Sequence, residues 1–181
     1  MKKALLTLTL AFGLFGLATA QGLPKVAGSP AYPTTNIVDI AAHSANHTAL
    51  ATAIQASGLA PKLRGPGPFT FFAPTNDAFG KLPSGTLQNL VQSGNQTTLS
   101  QILNGHLVPG RLAAIDLARA VQEGGGSAQI KTLNGSSLTL TLDGNTLVLT
   151  DQFGGSARLM QTDMYQKNGI VHVADGVFMP K

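Results

Sequence analysis

The sequence predicts a single α+β domain, and two observations lead to this prediction. Apolar residues recur at helical spacing through most of residues 36–121, interrupted by one short apolar strand at 69–72. Beyond the glycines at 124–126, apolar residues instead alternate with polar ones, which is the period of a half-buried strand. Helices grouped before strands are typical of an α+β domain, whereas a doubly wound parallel sheet alternates the two.

The N-terminus predicts export. Residues 1–3 are basic at two positions, residues 4–17 are apolar, and Ala18-Thr19-Ala20 has the small-x-small pattern of a cleavage site, so residues 1–20 indicate a secretory signal peptide. A membrane anchor is the alternative, but the apolar stretch is shorter than the roughly 20 residues that a bilayer requires. Residues 21–35 are rich in Gly and Pro and predict a linker, which leaves 36–181 for the domain. The periplasm, the cell surface and the extracellular space all remain open, with no transmembrane segment expected after cleavage.

The amino-acid composition argues against several classes of site and partner. Cysteine is absent, so we expect no disulfide framework, no thiolate metal site and no cysteine nucleophile. Loss of Lys2 and Lys3 with the signal peptide would lower the formal net charge from +4 to +2, so a nucleic-acid partner is not expected. The arginines are scattered in the sequence and give no reason to propose a patch; they are Arg64, Arg111, Arg119 and Arg158.

The first folded segment predicts two helices. Asn36 is a possible N-cap, and Asp39 lies in the first turn, where a carboxylate complements the helix dipole. Apolar residues recur at helical spacing in both helices: Ile37, Ile40 and Ala41 in the first, and Leu50, Ala53 and Ile54 in the second. Gly58 is the expected C-terminal stop, and residues 62–68 predict a turn of Gly and Pro.

A strand followed at once by a helix is predicted next. Residues 69–72 form a continuous apolar and β-branched run, which suits a strand buried on both faces, and Pro74 ends it. Thr75 is placed as the N-cap and Asp77 in the first turn, so a helix is expected from about Asn76 to near Pro83.

Three further helical segments precede the glycine run. The first lies between Ser84 and Gly94, and the second opens at Thr97 or Thr98. The second helix carries a stripe at i, i+3, i+4 and i+7 that faces the core, formed by Leu99, Ile102, Leu103 and His106. Pro109-Gly110 ends this element or redirects it into a strand, and 115–121 predicts a weak, short helix.

The rest of the chain predicts strands. Strands are expected at 129–133, 137–142, 146–150, 157–160 and 170–173. Asn134-Gly135 and Asp143-Gly144-Asn145 join the first three, and these residue types accept the positive φ of tight hairpin turns.

Three blocks of sequence resemble the fasciclin domain family. Residues 69–83 resemble its first signature, residues 105–110 its central Tyr-His block, and residues 168–180 its second signature. The likeness extends from about Asn36 to Pro180. It implies a β-rich wedge of seven or so strands with several short helices packed on it. It also implies a secreted or surface-attached module used in cell adhesion and extracellular matrix contacts, with no common catalytic site.

The resemblance assigns roles to particular residues. Structural motif positions are Thr75, Asp77, His106, Pro109, His172 and Asp175. The residues proposed for partner contact are Gly105, His106, Leu107, Val108 and Arg111, together with the turn 134–136. Gly105 stands where the family has a tyrosine that some animal members use for receptor binding, so integrin-type adhesion is not supported. The expected partner is therefore an unknown protein or glycan of the cell envelope or matrix.

No catalytic site, metal site or cofactor is predicted. His43 and His47 have the spacing of a metal pair, but no third ligand accompanies them. No serine has the nucleophile-elbow pattern, and the glycines 124–126 precede a strand rather than a helix N-terminus. Asp77, Asp163 and Asp175 are interpreted as turn caps. A carrier of an apolar carotenoid or lipid, bound between helices and sheet, remains the alternative to adhesion.

Overall fold

A computed structural model describes residues 34–179; the predicted signal peptide and nearly all of the predicted linker lie outside these residues. In this described part of the chain, seven strands form one mixed sheet in the order β2-β1-β7-β6-β5-β4-β3. The strands are β1 Phe69–Pro74, β2 Leu107–Pro109, β3 Ser127–Lys131, β4 Ser137–Asp143, β5 Thr146–Asp151, β6 Ser156–Gln166 and β7 Gly169–Ala174. The α+β prediction is confirmed, since the sheet is mixed and five of its strands, β3 to β7, follow one another in the sequence with no helix between them.

Seven α-helices accompany the sheet within residues 34–179. They are α1 Ile37–His43, α2 Thr48–Ser57, α3 Ala60–Arg64, α4 Asn76–Gly80, α5 Thr86–Leu90, α6 Gln96–Gly105 and α7 Ala114–Glu123, with 3-10 turns at Ala45–His47 and Ser93–Asn95. Within residues 34–179, none of these helices combines the length and apolarity that crossing a bilayer requires.

The β1–β7 pair lies inside the sheet. The two strands run parallel, from Phe69 opposite Gly169 to Pro74 opposite Ala174, while β2 pairs antiparallel with the other edge of β1. Every residue of β7 is buried, and so is every residue of β1 after Phe69. Continuous apolar runs of this kind are typical of strands that are covered on both faces.

Two hydrophobic clusters cover the two faces of this pair. Consecutive side chains of a strand point to opposite faces, so Phe71 packs into one cluster and Phe72 into the other. The first cluster takes the buried faces of α1, α2 and α6, and the second takes Leu117 and Val121 of α7 together with the leucines of β4 and β5. The helical stripe predicted for α6 is confirmed, because all four of its residues are buried.

Local signals that the sequence predicted are present. The Thr75 hydroxyl accepts a hydrogen bond from the Ala78 amide at 3.2 Å and caps α4. Gly58 ends α2 with φ of 69°. Gly135 and Gly144, in the two hairpin turns, have φ of 85° and 60°, which favours glycine because a side chain there would be strained.

Several element boundaries differ from the predicted ones. Residues 60–64 form α3 where a turn was expected, because Pro61 is accepted in the first turn of a helix, where its missing N–H costs nothing. α4 ends at Gly80 rather than near Pro83, and α7 extends to Glu123 rather than ending at Val121. β6 continues to Gln166 although its polar second half shows no clean alternation. Its pairing with β7 shifts register twice, between Leu159 and Met164, which removes the regular pattern.

Candidate functional site

His106 is completely buried, and both of its ring nitrogens are hydrogen-bonded. The Phe178 amide donates to Nε2 at 3.0 Å, so Nδ1 carries the proton and donates to the Ile102 carbonyl at 2.9 Å. Burial lowers the pKa of His106 to about 4, against smaller raising effects from the Ile102 carbonyl and Asp151. The ring therefore joins the end of α6 to the segment after β7, and the backbone carbonyl of His106 accepts from the Phe72 amide at 2.9 Å.

His172 is bonded to the backbone of other elements in a similar way. Its Nε2 donates to the Leu112 carbonyl at 2.8 Å, and its Nδ1 accepts from the Asp163 amide at 3.3 Å. Burial lowers the pKa of His172, while the Leu112 carbonyl and the Asp163 carboxylate oppose that shift. The ring stacks on Phe72 with 5.7 Å between ring centroids. His106 and His172 are thus both neutral. His172 bonds β7 to backbone at Leu112 and Asp163, and the His106 ring bonds the end of α6 to the segment that follows β7.

Asp163 and Asp175 bond to backbone amides. Asp163 has a left-handed backbone, with φ of 62°, and its carboxylate accepts from the Ala114 amide at the start of α7 at 2.8 Å. Asp175 accepts from the Arg158 amide at 2.7 Å, and the Lys81 ammonium lies 3.2 Å from its other oxygen. Asp77 is exposed in the first turn of α4. Asp163 and Asp175 therefore hold backbone amides that are distant in the sequence, rather than amides of their own turns.

Most of the segment proposed for partner contact lies in the interior. Gly105, His106, Leu107 and Val108 are buried, and Arg111 is exposed. The reason is that the end of α6 and strand β2 are covered by β1 and by the C-terminal segment. A partner that approaches this region therefore meets Arg111 and the exposed Pro109 rather than the motif itself.

Gly105 lies against a side chain from the hairpin turn 134–136. A Cβ on Gly105 would lie 3.1 Å from Nδ2 of Asn134, which donates to the Gln101 carbonyl at 3.2 Å. The hairpin turn 134–136 therefore packs on the end of α6, and its exposed residues Asn134 and Gly135 stand beside that helix.

His43 and His47 do not form a pair. Ser44 is extended between α1 and the 3-10 turn, with φ of −104° and ψ of 122°, which ends the helical spacing. His43 bonds to the Asp39 carbonyl at 2.7 Å, and the buried His47 bonds to the Ser44 hydroxyl at 2.8 Å. Among residues 34–179, no three His, Asp or Glu side chains are grouped so that they could hold a metal ion.

A polar cleft that the sequence did not reveal lies at the β1 end where the chain enters the sheet. It has a volume of about 620 Å³ and is lined by the segment 65–68, Asn36, Asn168 and three cationic side chains, Arg64, Arg111 and Lys167. These cations come from α3, from the segment after β2 and from the β6–β7 turn. The sheet order brings them together, because β2, β1, β7 and β6 are successive neighbours.

A smaller apolar pocket lies between α1, α2 and α3. Its volume is about 200 Å³, and Val38, Ala51 and Ile54 are among its lining residues. Pockets for drug-sized ligands usually measure about 300–1,000 Å³, so this pocket is small for a carotenoid or a lipid.

Comparison with known proteins agrees with this architecture. The Fasciclin domain family matches residues 45–180. Two proteins of Synechocystis, sll1483 and sll1735, are each 37% identical over 145 residues, which cover 80% of this chain and 73% and 97% of those proteins. The chain therefore belongs to the fasciclin domain family.

More distant relatives are larger proteins. Transforming growth factor-beta-induced protein ig-h3 of Sus scrofa is 30% identical over 147 residues, which are 81% of this chain and 20% of that protein. Among solved structures, a FAS1 domain pair from the insect cell adhesion molecule Fasciclin I superposes with a TM-score of 0.71 at 21% identity, covering 82% of this chain and 52% of that one. This superposition confirms the fold.

Proposed function

We propose that this protein is an exported adhesion module, which contacts a protein or glycan of the cell envelope or matrix and catalyses no reaction. The observation that supports this proposal most is the burial and hydrogen bonding of His106 and His172, the histidines of the central block and of the second signature. Each is buried and neutral, and both nitrogens of each ring are hydrogen-bonded to the backbone. A general base needs a free nitrogen within reach of substrate, and neither ring offers one.

The family supports the same reading. The chain belongs to the fasciclin domain family, and a protein that shares its fold is described as an insect cell adhesion molecule. Contacts of this kind depend on complementary surfaces rather than on turnover, so the exposed face carries the function in this proposal. The predicted signal peptide would direct export of the protein from the cytoplasm, so that this face could meet a partner there.

The small apolar pocket favours adhesion over the carrier alternative. A carrier requires a cavity that encloses most of its ligand, and about 200 Å³ is below the usual range for such sites.

Attachment of cells tests the proposal. The gene is deleted in the host that makes the protein, and cell aggregation and attachment to surfaces are measured before and after the purified native protein is added back. We expect deletion to reduce attachment and add-back to restore it. Unchanged attachment in both arms would remove the support for adhesion.

A further inference from the structure

The cations of the described domain are distributed unevenly. Of the twelve Lys and Arg residues of the chain, Lys2, Lys3, Lys25 and Lys181 lie outside residues 34–179, so eight lie inside. All eight Asp and Glu residues also lie inside, and the described part is neutral overall. Three of the eight cations nevertheless line the single 620 Å³ cleft. The surface field there is positive although the domain carries no net charge.

Much of this positive charge is not neutralised by carboxylates. Among the described residues, Arg64 has a carboxylate within 4.0 Å, at 3.7 Å from Asp39, whereas Arg111 and Lys167 have none. The other oxygen of Asp39 accepts from the Asn36 amide at 3.1 Å. One guanidinium nitrogen of Arg111 donates to the Gln166 carbonyl at 3.2 Å, which holds the group in place and leaves other donors open.

The wall of the cleft is built around a buried side chain. Asn168 is 7% exposed, and its amide group makes three hydrogen bonds. It accepts from the Ile37 amide at 3.0 Å and donates to the carbonyls of Leu63 and Gly65 at 2.6 and 3.1 Å. These bonds join α1, the end of α3 and the β6–β7 turn. The cations therefore stand on a preorganised frame, which reduces the cost of binding.

The cleft offers hydrogen-bond acceptors as well as cations, and these acceptors are backbone carbonyls of the segment 65–68. Pro66 and Pro68 have no N–H group, and the carbonyls of Pro66 and Gly67 accept no hydrogen bond from residues 34–179. An open polar cleft that combines cations with carbonyl acceptors matches a ligand that combines an oxyanion with hydroxyl donors. A sugar acid has both groups on one ring, whereas an acidic peptide side chain has the oxyanion without the hydroxyls.

We propose that this cleft binds an acidic sugar unit of a polyanionic glycan. Arg111, Lys167 and Arg64 receive its carboxylate, and the carbonyls of the segment 65–68 receive its hydroxyls. Residues 1–33 contain no Asp or Glu, so the N-terminal segment supplies no carboxylate to compete for the site. The inference rests on the proposed adhesion function and names the class of ligand for it.

Two double variants of equal charge test the cleft. Arg111→Gln with Lys167→Gln removes two cleft cations, and Arg119→Gln with Lys131→Gln removes two cations that do not line the cleft. The native protein and both variants are titrated with oligogalacturonate by calorimetry at low and high salt. We expect the cleft variant to bind about tenfold more weakly or worse, the control variant to bind as the native protein does, and the salt dependence to fall in the cleft variant alone.

Four further probes show whether the cleft prefers a sugar acid to other anionic ligands and to a neutral glycan. Oligoglutamate, inorganic phosphate, neutral dextran and vesicles containing anionic lipid are titrated in parallel, and each should bind more weakly than oligogalacturonate. Equal weakening of binding in both double variants, or tighter binding of any of these four probes, would overturn the proposal. Thermal melting checks that the variants are folded. If Arg111→Gln prevents folding, the single variant Lys167→Gln is used in place of the double variant.

The attachment assay separates the two proposals. If the native protein promotes attachment and the cleft variant does so equally, the cleft assignment fails while the adhesion function stands. If the native protein itself promotes no attachment, the adhesion function fails whatever the titrations show.

Discussion

The β1–β7 pair and the β3–β4–β5 meander are both parts of one sheet, but they are stabilised differently. The pair is parallel and almost entirely buried, and the hydrogen bonds of two neutral histidines, His172 within β7 and His106 beside the pair, hold the backbone around it. The meander is antiparallel, with leucines on one face and half-exposed threonines on the other. The first region depends on particular polar partners, whereas the second depends on a pattern that many sequences satisfy.

Removal of the His106 ring should damage the pair most. His106→Ala leaves the Ile102 carbonyl and the Phe178 amide without partners and opens a cavity, so we expect a loss of about 4 kcal/mol in the free energy of unfolding. Denaturant titration measures it. His43→Ala, at an exposed histidine, is the matched control and should cost less than about 0.5 kcal/mol. Equal losses in the free energy of unfolding for His106→Ala and His43→Ala would contradict the view that the buried histidine is the one that stabilises the fold.

Acid should weaken the pair through the same histidine. The pKa of His106 is lowered to about 4, so the unfolded chain binds a proton, near an ordinary value of about 6.5, before the native state does. The stabilisation is complete above pH of about 6.5 and is lost as the pH falls towards 4, by about 3 kcal/mol at most. Unfolding at a series of pH values checks this. His106→Gln should reduce the dependence of stability on pH and leave the part that His172 contributes, because the pKa of His172 is lowered as well. An unchanged dependence on pH would show that other groups cause it.

Gly67 offers a smaller test just before β1. A Cβ there would collide with the Asn168 carbonyl, so Gly67→Ala should cost about 2 kcal/mol and should also disturb the cleft. Gly80→Ala is the control, because a Cβ at Gly80 meets nothing within 4 Å and φ is ordinary. We expect the control to be neutral or stabilising by about 0.5 kcal/mol. Thermal melting of both variants shows whether Gly67→Ala is the less stable of the two, and equal melting temperatures would contradict the prediction.

The solvated face of the meander should tolerate change best. Thr139→Ser and Thr141→Ser keep a hydroxyl at half-exposed positions and should alter the free energy of unfolding by less than about 0.5 kcal/mol each. A loss above about 2 kcal/mol at either position would show that the meander is as exacting as the β1–β7 pair.

Local patterns in the sequence predicted most of the fold. The stripe of α6, the cap at Thr75 and the glycine turns of the meander depend on neighbours within one or two turns of chain, so they could be recognised without the structure. The second half of β6 could not, because two register shifts remove its alternation.

The cleft was hidden from the sequence for another reason. Arg64, Arg111 and Lys167 are far apart in the chain, and only the non-sequential order β2-β1-β7-β6 makes them neighbours. The sequence placed His106 on the core-facing stripe of its helix, but its partner in the segment after β7 could not be recognised, because 72 residues separate the two.

The protonation of the two histidine rings tests the central claim most directly. Nitrogen NMR of the labelled protein at a pH of about 5.5, between the lowered pKa of His106 and an ordinary value, reports the tautomer of each ring. At this pH we predict a neutral His106 ring with the proton on Nδ1, and at neutral pH we predict a neutral His172 ring with the proton on Nε2. A charged His106 at the lower pH, or a free nitrogen exchanging with solvent on either ring, would contradict the account that these groups hold the fold.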